Sequence, residues 1–226
     1  MFKAGIDQDA IVQMFSKASA ERAEDLRKAV SEATLKALHG RALTLANIRK
    51  VLETVAQAAS AGTAQSKLPG PDIENILGSA FAGMDAALLQ AVQAHRTALQ
   101  QFVEQGIPLQ ERHMKDALAN IEKMEDVFFA TVGKAAQQAT GTLRPAWEHV
   151  LDAMRIKGTG TGAQAATSVE QLMAQAQSAL REGRAASVRS AQAMMESYAT
   201  LVSGVLIGMS EGLQSPAARE RGGGQS

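Results

Sequence analysis

The sequence contains no cysteine. That excludes a disulfide framework, a thiol nucleophile and a thiolate metal site, and it fits a reducing compartment. Aromatic residues are scarce, at 4% of the chain with one Trp and one Tyr. Ala, Gln and Met must therefore fill much of the interior. Alanine faces bury little area each, at about 25 cal/mol per Å², so stability has to come from length and many shallow contacts. Charge of one sign is missing too: 23 basic residues balance 23 acidic ones. With no cationic surplus to displace counterions, a nucleic-acid binder working by bulk electrostatics is excluded. Long apolar runs are also absent. The uncharged run between Glu196 and Glu211 is shorter than the roughly 20 apolar residues of a membrane span, so no transmembrane segment is expected. Residues 1–15 lack the basic-then-apolar order of a signal peptide, and a cytoplasmic location is expected. The period-2 alternation of strands occurs nowhere.

What is present is helical periodicity. Apolar residues recur at steps of three and four along almost the whole chain, which puts them on one face of successive helices. A first helix is expected over 7–40, with Ile11, Phe15, Leu26 and Val30 on its face. A second restarts at Thr44 and runs to about residue 59. Gly62, Pro69, Gly70 and Pro71 make 60–72 the clearest breaker cluster. Asp72 then caps a third helix, which carries Ile73, Ile76, Leu77, Phe81, Met84 and Leu88. Pro108 opens a fourth, which ends near Gly141. Pro145 opens a short helix with Trp147, and the alternating Gly and Thr residues of 158–162 read as a flexible linker. The expected organisation is an N-terminal helical hairpin at 1–60, a loop at 61–71, a main bundle at 72–216 and a disordered tail at 217–226.

The longest pattern runs over 168–213. Ser168 with Gln171 matches a capping box, and the face includes Val169, Leu172, Met173, Leu201, Val202, Val205 and Met209. One helix of that length would span about 70 Å. Gly204, Gly208 and Gly212 recur every fourth residue and leave a side-chain-free groove suited to close helix packing, as in small-xxx-small pairs. Ser79, Gly83 and Ala87 repeat that spacing, and with Met84 laid over Met209 the two ridges superpose, as does Leu88 on Leu213. Leu206 and Ile207 widen the late apolar band beyond a single stripe. Two apolar patches follow: Leu201, Val202, Val205, Leu206, Ile207 and Met209 on the late stretch, and Phe81, Met84 and Leu88 on the earlier one. Either could face a core, a partner or a surface. The methionines at 173, 194, 195 and 209 suit an adaptable apolar contact as well as plain core filling.

Groupings with catalytic chemistry are not found. None of His39, His95, His113 and His149 follows a Glu by three residues, so the Glu-x-x-His element of di-iron bundles is missing, as is His-Glu-x-x-His. Glu122 and Asp126 share a helix face beside Glu125, an arrangement that reads as a solvated charged side unless a pocket raises one pKa. The glycines of 158–162 follow a helix and lack the Gly-Lys-Ser/Thr ending of a phosphate loop. No Gly-x-Ser-x-Gly elbow occurs. Trp147 reads as a core plug. No catalytic residue, metal or cofactor is expected.

Two runs carry a resemblance: Ala174-Gln175-Ala176-Gln177-Ser178-Ala179, and Ala191-Gln192-Ala193-Met194-Met195-Glu196-Ser197-Tyr198. In them the chain resembles phasins, the helical proteins that coat bacterial polyhydroxyalkanoate granules. The likeness is compositional, covers about the last quarter of the chain and carries no site residue across. It implies a granule surface as location and partner. The combined expectation is an all-α, elongated antiparallel helical bundle with one long C-terminal helix. It would be non-enzymatic and self-associating, with an apolar surface, a polymer granule or a lipid surface as ligand. A cytoplasmic scaffold that binds another helical protein predicts the same features. An all-α pore-forming protein is less favoured, for want of a run of spanning length.

Overall fold

A computed structural model describes residues 7–18, 22–39, 42–66, 68–105, 112–181 and 198–214. Every regular element among them is a helix, so the all-α class holds. In chain order these are α1 (Gln8–Ser16), α2 (Ala23–Leu38), α3 (Leu45–Gln65), α4 (Gly70–Glu104), α5 (Arg112–Glu122), α6 (Met124–Gln138), α7 (Leu143–Lys157), α8 (Gly160–Arg181) and α9 (Tyr198–Gln214).

The chain is organised around α4, not around its late stretch. At 35 residues α4 is about 52 Å long, and α2, α3, α5, α7, α8 and α9 all pack on it. Leu77, Phe81, Met84, Leu88, Val92 and Leu99 are sealed, and one continuous apolar core joins α1 to α9 through them. Phe81 stacks on Phe128 of α6, with ring centres 4.4 Å apart. Trp147 is fully buried, and its indole N–H donates to Ser60 Oγ at 2.9 Å.

Two partners of α4 run parallel to it, against the antiparallel order expected. Gly160 of α8 bonds Asp85, and Gln171 further along α8 bonds Arg96. Likewise Ala23 and Glu24 of α2 share a cleft with Glu74 and Asn75, whereas Val30 lies against Gly83. Short loops favour antiparallel neighbours, but here the main contacts join helices distant in sequence.

Several boundaries also differ. The expected helix over 7–40 is broken between α1 and α2, because α1 packs on α3 whereas α2 packs on α4. α3 runs on to Gln65, so much of the expected loop is helix. Gly62 is no breaker: a Cβ there would stand 2.5 Å from the Val12 carbonyl oxygen of α1. α4 starts at Gly70 with Pro71 in its first turn, ahead of Asp72. The helix expected from Pro108 divides at Lys123, and Pro108 itself lies outside the described residues.

A single long C-terminal helix is not evident among the described residues, which show α8 of 22 residues and a short final α9 of 17. Residues 182–197 lie outside the described set, as do Met194, Met195 and the expected tail at 217–226. Ser168 is no cap. It is buried inside α8, where it accepts a hydrogen bond from Gln164 at 3.2 Å.

The true start of α8 lies in the stretch read as a linker. Thr159 Oγ1 accepts from Gly162 N at 2.9 Å as a helix cap. Asp85 of α4 accepts from Gly160 N at 2.8 Å and Thr161 N at 3.0 Å, and Glu125 of α6 accepts from the Thr159 hydroxyl. Two carboxylates thus occupy the electropositive end of α8. The glycines admit them: a Cβ at Gly162 would collide with a Glu125 carboxylate oxygen. Asp85→Ala is expected to lower stability by about 1–2 kcal/mol through loss of these bonds, measured by urea denaturation. An unchanged midpoint would show that the clamp contributes nothing.

Candidate functional site

The strip with the clearest capacity for contact is α9. No charged residue occurs from Tyr198 to Ser210. Val202 and Leu206 are buried, at 0% and 1% exposure, and α9 packs on α4. Leu201, Val205 and Met209 are partly buried against the same core, and Ile207 is half-buried. Gly204 and Gly208 are exposed, and nothing lies within 4 Å of a Cβ built on either. The close helix contact expected at these two glycines is therefore not made within the described residues. Gly212 falls in the last turns of α9.

The earlier patch is placed differently. Phe81, Met84 and Leu88 are 1%, 0% and 0% exposed. They are core, and the folded chain cannot offer them as an interface. The ridge on the same helix faces inward as well: Ser79, Gly83 and Ala87 are buried. A Cβ at Gly83 would stand 2.6 Å from the Arg27 carbonyl oxygen and 2.8 Å from the Val30 Cβ, so α2 and α4 cross where only a hydrogen fits. Residues with the same four-residue spacing thus serve a buried crossing on α4 and an open face on α9.

Histidines tie down both ends of α9, a role that sequence reasoning did not give them. At its first residue, Tyr198 Oη lies 2.7 Å from His95 Nδ1, and the other ring nitrogen, Nε2, lies 3.1 Å from the Leu43 carbonyl oxygen. A carbonyl only accepts, so Nε2 carries the proton and donates to Leu43. Nδ1 then accepts from the Tyr198 hydroxyl. Burial pushes His95 down from 6.5 to about 4, against a smaller upward effect of the Leu43 carbonyl. Burial also raises the Tyr198 phenol, so it stays protonated. At the other end, Ser210 Oγ donates to the Ile207 carbonyl at 2.8 Å and so accepts from His39 Nε2 at 3.2 Å. The partners stand 103 and 171 residues apart, and no local motif could announce them.

Other concave surfaces are less committed. A cleft of about 700 Å³ between α2, α4 and α7 is lined in part by Gly78, Ala82 and Ala153. The Arg27–Glu24 and His149–Glu74 pairs at its rim are largely exposed, at 2.7 and 3.0 Å. A second, of about 330 Å³ between α3 and α6, is lined mainly by alanines and glutamines. Glu125 caps α8 rather than pairing with Glu122 or Asp126. No group of three or more His, Asp or Glu suited to a metal occurs among the described residues. α4 is the one helix among them long and apolar enough to cross a membrane, and 61% of its apolar window is buried inside the fold.

Residues 1–215 match the model of a family of unknown function, DUF6781. No curated protein matches the chain, and no solved structure does either.

Proposed function

The chain belongs to the DUF6781 family, and we propose that it is a non-enzymatic, self-associating helical protein that meets an apolar surface through α9. One observation carries this reading. α9 is uncharged from Tyr198 to Ser210, yet it uses mainly one side, Val202 and Leu206, to hold the core. The other side leaves Gly204 and Gly208 open, flanked by half-buried Leu201 and Ile207. A helix that keeps water-facing positions free of charge and bulk is shaped for another apolar body. The likeness to phasins makes a polyhydroxyalkanoate granule in the cytoplasm the first surface to try.

A scaffold that docks one helical partner is the second reading. The narrowness of the strip favours it. The only large apolar side chains strongly exposed among the described residues are Ile156 at 89% and Met173 at 49%, whereas those described on α9 are half-buried or buried. A strip one helix wide suits a single partner helix as well as it suits a broad surface.

Flotation of the full chain with polyhydroxybutyrate particles and with liposomes, alongside light scattering, separates the two. The expected result is co-flotation with one of them, abolished in the Val205→Asp, Met209→Asp double variant with helical circular dichroism unchanged. A defined oligomer that ignores both surfaces and falls to monomer in the double variant would remove the granule reading and leave α9 as a protein interface. A monomer that binds nothing would remove both.

A further inference from the structure

We propose that His95 and Tyr198 form a latch that acid opens, freeing the first turn of α9 from α4. The inference rests on the reading of α9 as the contact strip and supplies its regulation, although the latch can be tested without any ligand.

The geometry demands a neutral imidazole. Nδ1 must accept from the Tyr198 hydroxyl while Nε2 donates to Leu43. A second proton on Nδ1 would face the phenol's own proton, and Tyr198 would have to turn to accept instead. The charge would also sit at a residue 3% exposed. The groups that face it offer no compensation. α9 presents the Tyr198 phenol and no charge before Glu211. The segment before α3 presents the Leu43 carbonyl. On α4, Arg96 follows His95, but its guanidinium donates to Gln171 of α8 at 2.6 Å. No carboxylate among the described residues bonds His95. An imidazolium there gains more from water than from the site.

The latch holds the entry to α9. Tyr198 is its first residue, and its ring lies against Phe102 at 5.9 Å. Once it leaves, the described side chains of the first turns that still hold the start of α9 to the core are Leu201 and Val202. His95 holds its proton more weakly in the latch than free histidine does. The stabilisation is therefore complete above pH 6.5 and fades as the pH falls toward about 4. Between pH 7.5 and 5 the open fraction should rise about thirtyfold.

The chain supplies its own reporters, with one Tyr and one Trp. The full-length protein, labelled with ring-¹³C tyrosine and indole-¹⁵N tryptophan, gives one signal from Tyr198 and one from Trp147, which is buried in α7 away from the latch. The expected result is a Tyr198 signal that shifts between pH 7.5 and 5 while Trp147 stays fixed, and that no longer shifts in His95→Gln. Tyr198 and Trp147 moving together, no Tyr198 movement down to pH 4.5, or an unchanged titration in His95→Gln would each overturn the latch. If His95→Gln fails to fold, Tyr198→Phe replaces it. That variant should bind anilinonaphthalene sulfonate at pH 7 as the wild type does at pH 5, and no increase would count against the latch. A latch that titrates normally in a protein that never binds particles or liposomes overturns the surface reading alone.

Discussion

Phe81→Ala should lower the free energy of unfolding by about 3–5 kcal/mol and the melting temperature by roughly 2–4 °C for each of those. The ring is sealed at 1% exposure, stacked on Phe128 at 4.4 Å and tilted against Phe129 at 5.6 Å. Deletion leaves a cavity between α4 and α6 that neither helix can close, since both carry other core contacts. The measurement is thermal and urea denaturation beside light scattering. The spacing of Phe81, Met84 and Leu88 alone allowed a surface patch, and a patch behaves differently: truncation there would change mass or binding and leave the melting curve in place. A stability change under 1 kcal/mol with altered association would restore the patch.

Gly83→Val is expected to cost about 3 kcal/mol or more, while Gly204→Ala should add about 0.5–1 kcal/mol. At Gly83 the new Cβ meets main chain, the Arg27 carbonyl oxygen at 2.6 Å. Backbone cannot swing aside as a side-chain tip can, so α2 must lift from α4 along their parallel contact. The better helix propensity of the new residue recovers only a small part of this. At Gly204 nothing stands within 4 Å, and alanine collects its propensity advantage unopposed. Denaturant titration of both variants checks the pair. Equal effects at the two sites would mean that neither glycine is there for close approach.

The contrast shows which parts of the structure the sequence expressed. Helical class was legible because the apolar period is unbroken, and on α4 the periodic residues Ile73, Ile76, Leu77 and Val92 are indeed buried. The uncharged band on α9 could also be located from the sequence. The meaning of glycine could not be read there. Gly62 looked like a breaker and Gly160 like part of a linker, and both instead lie where another element presses close. Gly204 and Gly208 looked like packing residues and stand open. A missing side chain records that space is needed, or that no cost was met, and the sequence does not distinguish the two. His95 was opaque for another reason: its ring is meaningful only through Leu43 and Tyr198, which local spacing does not connect to it.

The parallel course of α8 along α4 has a consequence for how the chain is made. Asp85 and Gly160 are 75 residues apart in sequence, as are Arg96 and Gln171. An antiparallel hairpin could cover the apolar side of α4 as soon as the next helix emerged. Here α2 has already emerged and can pack beside α4, but the α8 side of α4 must wait for the residues from Gly160 onward. Closing so long a loop is slow compared with local helix pairing, and the exposed side of α4 is open to wrong partners meanwhile. The Asp85 carboxylate marks where that late docking registers, because it meets two backbone N–H groups that exist in that arrangement only when α8 has begun its first turn.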